Sequence, residues 1–299
     1  MRVAVQQLDA FTDRPFAGNP AAVVSQADGL TAEQMQAIAR EMNLSETVFV
    51  QQATDPDADL QIRWFTPTTE VDLCGHATIA CFHALARGGL HGLGDPGDHQ
   101  LQVQTRSGTL PVRVEHGNDG TMVWFGLPRP QVRSCRLDHE SLAELLGVQP
   151  QAFDPHLPLA EFYSYAVIPI RNLATLQELR PDPHGLDRLA RESGVWGFAP
   201  MTLDTVDPDS AMHIRFFAPS EGVPEDPVTG SAHGPMGVYL WRQGILQAED
   251  GVVRCVGEQG DGMGRAGRVS VRIRLDGDEV ERVEIGGKAV LVLEGNLEL

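Results

Sequence analysis

Apolar residues recur with helical spacing in three segments of the chain. Thr31 and Gln34 match a capping box at the start of the first segment. In each segment the apolar residues share one face of the predicted helix: Met35, Ile38, Ala39 and Met42; Leu142, Leu145 and Leu146; Leu186, Leu189 and Ala190. Gly147 and Gly194 follow the second and third segments as stop signals. The pattern therefore predicts three amphipathic helices.

Other segments show strand or fully buried patterns. Alternating apolar residues predict strands at 101–103, 112–114 and 269–275. Residues 77–86 are apolar on nearly every side, which indicates a helix enclosed by other elements. A second segment of this kind, residues 232–241, contains Gly234, Pro235 and Gly237, which weaken a helix interior. We expect a kink or a late start in that helix.

The same motifs occur twice along the chain. IRWFTP at 62–67 returns as IRFFAP at 214–219, and GHA at 75–77 returns as GSA at 230–232. Three further pairs keep the same order: ARE at 39–41 and 190–192, RGGL at 87–90 and RQGI at 242–245, and RSGTLPV at 106–112 and RAGRVSV at 265–271. Because the copies lie too far apart for a solenoid, the repeat predicts a duplicated domain.

The repeat predicts two similar halves, residues 1–127 and residues 128–299. Pro128 and Pro130 mark the boundary because prolines interrupt a strand ladder, and the last strand is a candidate to return to the N-terminal half. The expected fold is α+β. In each half a strongly curved, mainly antiparallel, barrel-like sheet wraps around a central helix. We expect a pseudo-two-fold axis between the halves and a candidate site in the cleft between them.

Composition and charge narrow the class of protein. The chain has 299 residues, of which 42% are hydrophobic and 21% charged, as expected of a globular protein with two domains. A net charge of −18 disfavours nucleic acid and anionic membranes as partners. The N-terminus lacks a signal-peptide pattern, and the four cysteines form no Cys-x-x-Cys pair. We therefore expect a cytoplasmic protein. The net charge does not exclude a small anionic metabolite as the substrate, because a pocket can present helix N-termini and a few basic side chains against the overall charge.

Several short motifs are more specific together than separately. They are DAFT at 9–12 with GNPA at 18–21, NLSET at 43–47, DLCGHAT at 72–78, EDPVTGSAH at 225–233, GMGRAG at 262–267 and GGKAV at 286–290. In combination they resemble the phenazine-biosynthesis isomerase-like (PhzF-like) family over essentially the whole chain. The resemblance implies the diaminopimelate epimerase fold, a homodimer, and an isomerase that works without a cofactor. The best-known reaction of that family isomerises trans-2,3-dihydro-3-hydroxyanthranilate.

The resemblance also implies roles for individual residues. Glu46, in the Ser-Glu-Thr motif, matches the family's catalytic glutamate and would carry the proton. His76 and Asp226 would position and polarise the substrate. If Phe49 and Trp64 enclose Glu46, burial should raise the pKa of its carboxyl group and suit it to proton transfer near neutral pH.

The two predicted helix starts are candidate anion-binding sites. Backbone N–H groups at Gly75, Gly230 and Ser231 are unpaired in the first turn of a helix, so they can bind a carboxylate or an oxyanion. Two equivalent helix starts favour this interpretation over a pair of tight turns, which glycines also suit.

The catalytic candidates have structural alternatives as well. Glu46 suits a solvated loop, Asp226 before a proline suits a turn start, and His76 suits a helix cap. On the enclosed helix, Cys81 and His83 are expected to be structural.

The cysteines separate related activities. Epimerases of this fold use a thiol at each helix start, but here Cys74 precedes one start and Thr229 the other, and a hydroxyl is too weak an acid–base group for that role. A proton transfer with one base is therefore favoured. A thiol-dependent epimerase or racemase using Cys74 and a catalytically silent small-molecule-binding protein remain alternatives. Motif spacing indicates no metal site and no cofactor.

Overall fold

The structure is a computed structural model that describes residues 1–117, 120–163 and 165–299. Its strands are β1 (Arg2–Ala10), β2 (Asn19–Val24), β3 (Glu46–Gln51), β4 (Leu60–Phe65), β5 (Glu70–Val71), β6 (Gly97–Thr105), β7 (Gly108–Gly117), β8 (Gly120–Leu127), β9 (Arg133–Ser134), β10 (Ala160–Phe162), β11 (Tyr165–Pro169), β12 (Gly197–Thr202), β13 (Met212–Ile214), β14 (Val252–Gln259), β15 (Gly267–Asp276), β16 (Glu279–Gly287) and β17 (Ala289–Glu298). Its α-helices are α1 (Ala32–Met42), α2 (Gly75–Arg87), α3 (His139–Leu146), α4 (Leu173–Glu178), α5 (Pro183–Ser193) and α6 (Gly230–Arg242). Among the described residues, no helix has both the length and the apolar character needed to cross a membrane.

The chain separates into two compact units. The first contains Met1–Gly126 and Gly286–Leu299, and the second contains Leu127–Ile285. The last strand belongs to the first unit because β17 pairs with β1 in antiparallel register from Arg2 to Ala10. The structure confirms the α+β fold class with a curved sheet that the sequence predicted. The pseudo-two-fold relationship between the halves stays a prediction.

In the first unit, a mixed and mainly antiparallel set of strands surrounds α2. The strand order is β17, β1, β2, β3, β4, β6, β7, β8, with parallel pairing only at β2–β3 and β4–β6 among the pairings described for these strands. Helix α2 packs against β1, β2, β3 and β17 and is buried from His76 to Ala86 except at His83. This is the enclosed helix that the apolar run predicts. On the opposite side of β3, α1 packs Met35 and Ile38 against Phe49, and the predicted capping box at Thr31 is present.

The second unit has the same kind of arrangement. Its strands β11 and β12 are parallel, as are β13 and β14, while β9–β10, β10–β11, β12–β13 and β14–β15 are antiparallel. Helix α6 packs against β14 and β15 and is buried from Ala232 to Leu240. A separate core cluster joins α3, α4 and α5 to the strands through Leu146, Leu176, Leu186, Phe198 and Phe217. The predicted helices over α3 and α5 are confirmed.

Helix α6 corrects one expectation. It begins at Gly230 and continues through Pro235 to Arg242, so of the two expected outcomes the late start is wrong and the kink stays a prediction. A Cβ atom at Gly234 would lie 2.6 Å from a Leu127 methyl and 2.9 Å from a Val283 methyl. The glycine therefore allows the helix to pack closely against neighbouring side chains, which offsets the low helix propensity of this residue.

The sequence repeat extends to side-chain contacts. In the first unit, Arg63 makes a bidentate ion pair with Glu70, in which Nε lies 2.7 Å from a carboxylate oxygen. The Arg63 guanidinium also lies over the ring of Phe65. In the second unit, Arg215 makes the equivalent pair with Glu225, also at 2.7 Å, and lies over the ring of Phe217. Each unit thus contains the same arginine–carboxylate–phenylalanine group, in which charge and ring contacts act together.

Candidate active site

Glu46 is the first residue of β3 and begins that strand immediately after the turn that ends α1. Asn43 ends α1 in the left-handed conformation, which directs the chain back toward the sheet. Residue Glu46 then pairs with Ala21 of β2. Because side chains alternate along a strand, Glu46 shares a face with Val48, whereas Phe49 lies on the opposite face with α1. The Glu46 side chain is 18% exposed.

The His76 ring makes contact with three neighbouring side chains. Its Nε2 lies 3.1 Å from Oε2 of Glu46 and 3.2 Å from Oγ of Ser45, and its Nδ1 lies 3.5 Å from Sγ of Cys74. The contact with Glu46 is a close ion pair rather than an aligned hydrogen bond, because the carboxylate oxygen has no donor in good geometry. His76, the second residue of α2, therefore contacts both Glu46 at the start of β3 and Cys74 at the N-cap of α2.

Glu46 and His76 change each other's pKa. Burial is the largest influence on the Glu46 carboxyl group and opposes its ionisation, but the positive charge of His76 and the polar groups of His76, Cys74 and Ser45 together outweigh burial and lower the carboxyl pKa below its ordinary value. Burial also opposes the charged form of His76, yet the Cys74 sulfur and the Glu46 carboxylate raise its pKa well above the ordinary value. An ionised base and a protonated imidazole are the expected pair near neutral pH.

The predicted direction of the Glu46 pKa shift was wrong. The sequence prediction considered only burial by apolar neighbours, with Phe49 and Trp64 as candidates. Phe49 faces away, and the charge of His76 together with the polar groups of His76, Cys74 and Ser45 exceeds the cost of burial. The carboxylate is consequently a base that stays ionised at neutral pH.

Cys74 is a buried thiol in the same group. Burial, reinforced by the nearby Glu46 carboxylate, raises the pKa of Cys74 to about 11. At neutral pH this group is a neutral thiol, which is a poor base and a poor nucleophile.

The two central helices begin in a similar way. Neither the Cys74 side chain at the N-cap of α2 nor the Thr229 side chain at the N-cap of α6 accepts a bond from the first turn. In each helix the N-cap carbonyl also contacts a side chain four residues later. The Thr78 hydroxyl lies 2.7 Å from the carbonyl oxygen of Cys74, and Nδ1 of His233 lies 3.0 Å from the carbonyl oxygen of Thr229. The first-turn amides at Gly75, Gly230 and Ser231 therefore have no N-cap side chain as partner.

In the second unit, a polar network holds the residues before α6. The Asp226 carboxylate accepts a bond from the Thr229 hydroxyl at 2.5 Å. Gln259 of β14 accepts from the Thr229 N–H at 2.8 Å and donates to the Asp226 carbonyl at 2.7 Å. Asp226 is thus fixed against the N-cap, and Gln259 is a supporting residue for which the sequence offers no signal.

An aromatic group lies beside Ser231. The Tyr165 hydroxyl is 3.4 Å from Oγ of Ser231, and the Tyr165 ring packs edge-to-face against Trp196 and Phe216, with centroids 4.6 and 5.2 Å away. Gly197 makes this packing possible, since a Cβ there would lie 2.7 Å from the Phe216 ring. Trp196 directly precedes β12. Tyr165 carries no sequence motif that points to this position.

Two other residues of α2, His83 and Cys81, lie in surroundings typical of the protein core. His83 Nε2 lies 2.7 Å from the carbonyl oxygen of Thr121, and burial lowers the pKa of this histidine to about 4. Cys81 is fully buried and burial raises its thiol pKa. Both fit the structural roles expected from the sequence.

The structure brings the predicted residues together in two sets. Glu46, Gly75 and His76 lie together in the first unit. Asp226, Gly230 and Ser231 surround the start of α6 in the second unit. The roles assigned to these residues stay predictions.

Comparison with known proteins shows the family. A family model described as phenazine biosynthesis-like protein matches residues 8–295. An uncharacterized isomerase of Clostridium acetobutylicum is 34% identical, over 98% of this chain and 97% of its own. The PhzF-family phenazine biosynthesis protein of Bacillus anthracis has a TM-score of 0.90 and 32% identity over 100% of both chains. A protein of Pseudomonas aeruginosa described as a predicted epimerase has a TM-score of 0.77 and 25% identity over 99% of both.

The fold and these relatives define an enzyme of the isomerase class. The chain belongs to the phenazine biosynthesis-like (PhzF) family. The family recognised from the sequence motifs is confirmed.

Proposed function

We propose that this isomerase transfers a proton within a small, carboxylate-bearing metabolite, with Glu46 as the proton carrier and without a cofactor. The observation that carries the proposal is the 3.1 Å contact between the Glu46 carboxylate and the His76 ring. The reaction would resemble the isomerisation of trans-2,3-dihydro-3-hydroxyanthranilate, on a substrate with an unsaturated or amino-substituted carbon skeleton.

The proton balance of this reaction is closed within the site. Ionised Glu46 removes a proton from a carbon next to an unsaturated group, and the released electron pair moves the double bond. Protonated Glu46 then returns the proton to another carbon. Because His76 lowers the pKa of Glu46, the carboxylic acid formed in the first step is a strong donor for the second.

The anionic part of the substrate needs donors. Backbone N–H groups at Gly75, Gly230 and Ser231 are the groups we assign to this role, because a helix start favours negative charge. We assign Asp226 to orientation of the substrate, following the family resemblance. A homodimer remains the expected assembly.

A thiol-dependent epimerase is the second candidate. The observation in its favour is that Cys74 Sγ lies 3.5 Å from the His76 ring, so a thiolate could form by proton transfer to His76. The thiol pKa of about 11 weighs against it. A catalytically silent binding protein is the third candidate, and any turnover excludes it.

Deuterium uptake from heavy water tests the proposal. A panel of unsaturated and amino-substituted carboxylates is incubated with the protein, and exchange at carbon is scored by mass spectrometry. On the substrate found, Glu46→Gln should bind normally and lose at least ~10²-fold in single-turnover rate, the scale of a positioned acid–base group. Cys74→Ala should retain most of the activity. Near-normal chemistry in Glu46→Gln, or complete loss in Cys74→Ala, would favour the thiol epimerase.

Matched variants separate catalysis from charge and folding. Glu41→Gln removes an exposed glutamate of α1 and should leave the rate unchanged. Asp226→Asn should weaken binding or turnover without unfolding the protein, as checked by circular dichroism. Full activity in this variant would remove the Asp226 carboxylate from the proposed reaction. Ser231→Ala keeps the backbone N–H groups that are assigned to anion binding, so it should retain most of the activity.

A further inference from the structure

Three side chains of different chemistry converge at the start of α2. A carboxylate oxygen of Glu46, Sγ of Cys74 and a ring nitrogen of His76 all lie within 4.8 Å of one another. Oxygen, sulfur and nitrogen ligands of these types are those that zinc binds in proteins. Cys74 and His76 are buried, and the Glu46 side chain is partly exposed.

The distances between these atoms are close to those in a tetrahedral zinc site. Zinc–sulfur bonds of about 2.3 Å and zinc–nitrogen or zinc–oxygen bonds of about 2.0 Å place neighbouring ligand atoms about 3.3 to 3.6 Å apart. Here Oε2 of Glu46 is 3.1 Å from Nε2 of His76, and Sγ of Cys74 is 3.9 Å from the same nitrogen and 3.5 Å from Nδ1. Because a metal on Nε2 lies in the ring plane and away from Nδ1, the His76 ring would turn on binding so that Nε2 faces both Glu46 and Cys74. The fourth position would be left for water.

A second group of potential metal ligands lies in the other unit, but its carboxylates are already paired with an arginine. His213, Glu258 and Asp261 also lie within 4.8 Å of one another. There the Arg268 guanidinium lies 3.0 Å from Asp261 and 3.6 Å from Glu258, so a protein cation already occupies the position that a metal would take. In the Glu46 group, Oε2 has no aligned donor.

We propose that Glu46, Cys74 and His76 form an inhibitory binding site for Zn²⁺. On binding, the Cys74 thiol and the His76 imidazolium each release one proton, and three bonds to zinc form. Two positive charges leave as protons and two arrive with the metal, so the net charge of the buried group is unchanged. The metal occupies the proton-accepting oxygen of Glu46 and stops proton transfer. The inhibition rests on the proposed function, whereas the binding does not.

Cobalt(II) reports on the binding separately from activity. The full chain is treated with EDTA, desalted and titrated with CoCl₂, and then Zn²⁺ is added in competition. We expect one equivalent of Co²⁺ per chain, with a thiolate-to-cobalt charge-transfer absorption that Zn²⁺ abolishes. Cys74→Ser should lose this absorption and His76→Gln should weaken binding at least tenfold. Cys135→Ser, a partly buried cysteine elsewhere, is the control and should keep it.

The outcomes are distinct. Absence of the charge-transfer band in the native protein, or its persistence in Cys74→Ser, would overturn the site. If Cys74→Ser does not fold, protection of Cys74 from alkylation by Zn²⁺ in the native protein replaces it, and unprotected labelling counts against the site. On the substrate found by deuterium uptake, Zn²⁺ should inhibit the native enzyme and EDTA should restore activity. Full activity at saturating Zn²⁺, in a protein that shows the cobalt band before zinc is added, would overturn the inhibition alone.

Discussion

The carboxylate of Glu46 and the ring of His76 hold each other in the charged state across 3.1 Å. The two residues come from different elements, the start of β3 and the first turn of α2. Their contact therefore couples the protonation of the site to the packing of the central helix against the sheet.

This coupling predicts a defined dependence of stability on pH. His76 has a folded-state pKa above its ordinary value of 6.5, so its contribution is complete below pH 6.5 and is lost as the pH rises through the folded-state pKa. Glu46 has a folded-state pKa below 4.5, so its contribution is present above pH 4.5 and is lost as the pH falls through the folded-state pKa. Thermal unfolding midpoints measured in EDTA should show both losses.

Substitution of Glu46 should change the pKa of His76. In Glu46→Gln the pKa of His76 should fall, so the loss of stability at alkaline pH should begin at a lower pH. The His76 ring proton resonances, followed by NMR from pH 5 to pH 10, measure this directly. An unchanged His76 titration in Glu46→Gln would show that the carboxylate does not stabilise the imidazolium.

The Cys74 thiol should react slowly in the native protein. A pKa of about 11 leaves far less thiolate at neutral pH than an ordinary cysteine has, so alkylation by iodoacetamide should be about 10²-fold slower than in the urea-unfolded chain. Because Glu46 contributes to the raised pKa, Glu46→Gln should accelerate labelling and Glu41→Gln should not. Peptide mass mapping of Cys74 gives the rates. Labelling of native Cys74 at the unfolded-state rate would contradict the assignment.

Gly197→Ala should disturb the aromatic group beside Ser231. The added Cβ would lie 2.7 Å from the Phe216 ring and 3.0 Å from the Tyr165 ring, and overpacking of this kind costs about 1–3 kcal/mol. Gly262→Ala is the matched control because a Cβ there meets nothing within 4 Å. Unfolding midpoints and near-ultraviolet circular dichroism compare the two variants, and equal effects would argue against tight aromatic packing.

Arg215→Met should be more destabilising than Arg63→Met. Both arginines bind a carboxylate with two hydrogen bonds, but Arg215 also donates to the carbonyls of Leu176 and Leu179, each at 3.1 Å. Loss of hydrogen bonds to a charged group adds about 1.5–3 kcal/mol to the effect. Hydrogen exchange should rise near the end of α4 in Arg215→Met alone. Equal destabilisation by the two substitutions would mean that the carbonyl contacts contribute little.

The sequence predicted much of the fold because its signals are local. The capping box at Thr31 and the glycines after α3 and α5 act within one turn of a helix, and all are found in the structure. The expectation of a kink or a late start in α6 weighed glycine and proline propensities without the neighbours, and the late start is wrong. Val283, far along the chain, is one of the side chains that makes a glycine suitable at Gly234.

The chemistry of the site was less accessible from the sequence. Motifs gave Glu46 and His76 as candidates, but the direction of the Glu46 pKa shift depends on a contact between residues 30 positions apart. Gln259 and Tyr165 carry no motif, and their contacts with Thr229 and Ser231 arise only from packing. Spacing rules for metal ligands also failed to associate Glu46 with Cys74, because Glu46 lies on a different element.

The arginine–carboxylate–phenylalanine group occurs in both units, whereas the residues beside it differ. In both units the group secures the strand segment that pairs with β3 or β12. The residue at the start of that neighbouring strand differs: the ionised Glu46 begins β3, whereas Gly197, preceded by Trp196, begins β12. The same supporting contacts therefore hold a charged carboxylate in one unit and a packed aromatic group in the other. Because Trp196 and the Glu46–His76 pair lie in different units, either can change in evolution without directly altering the contacts of the other.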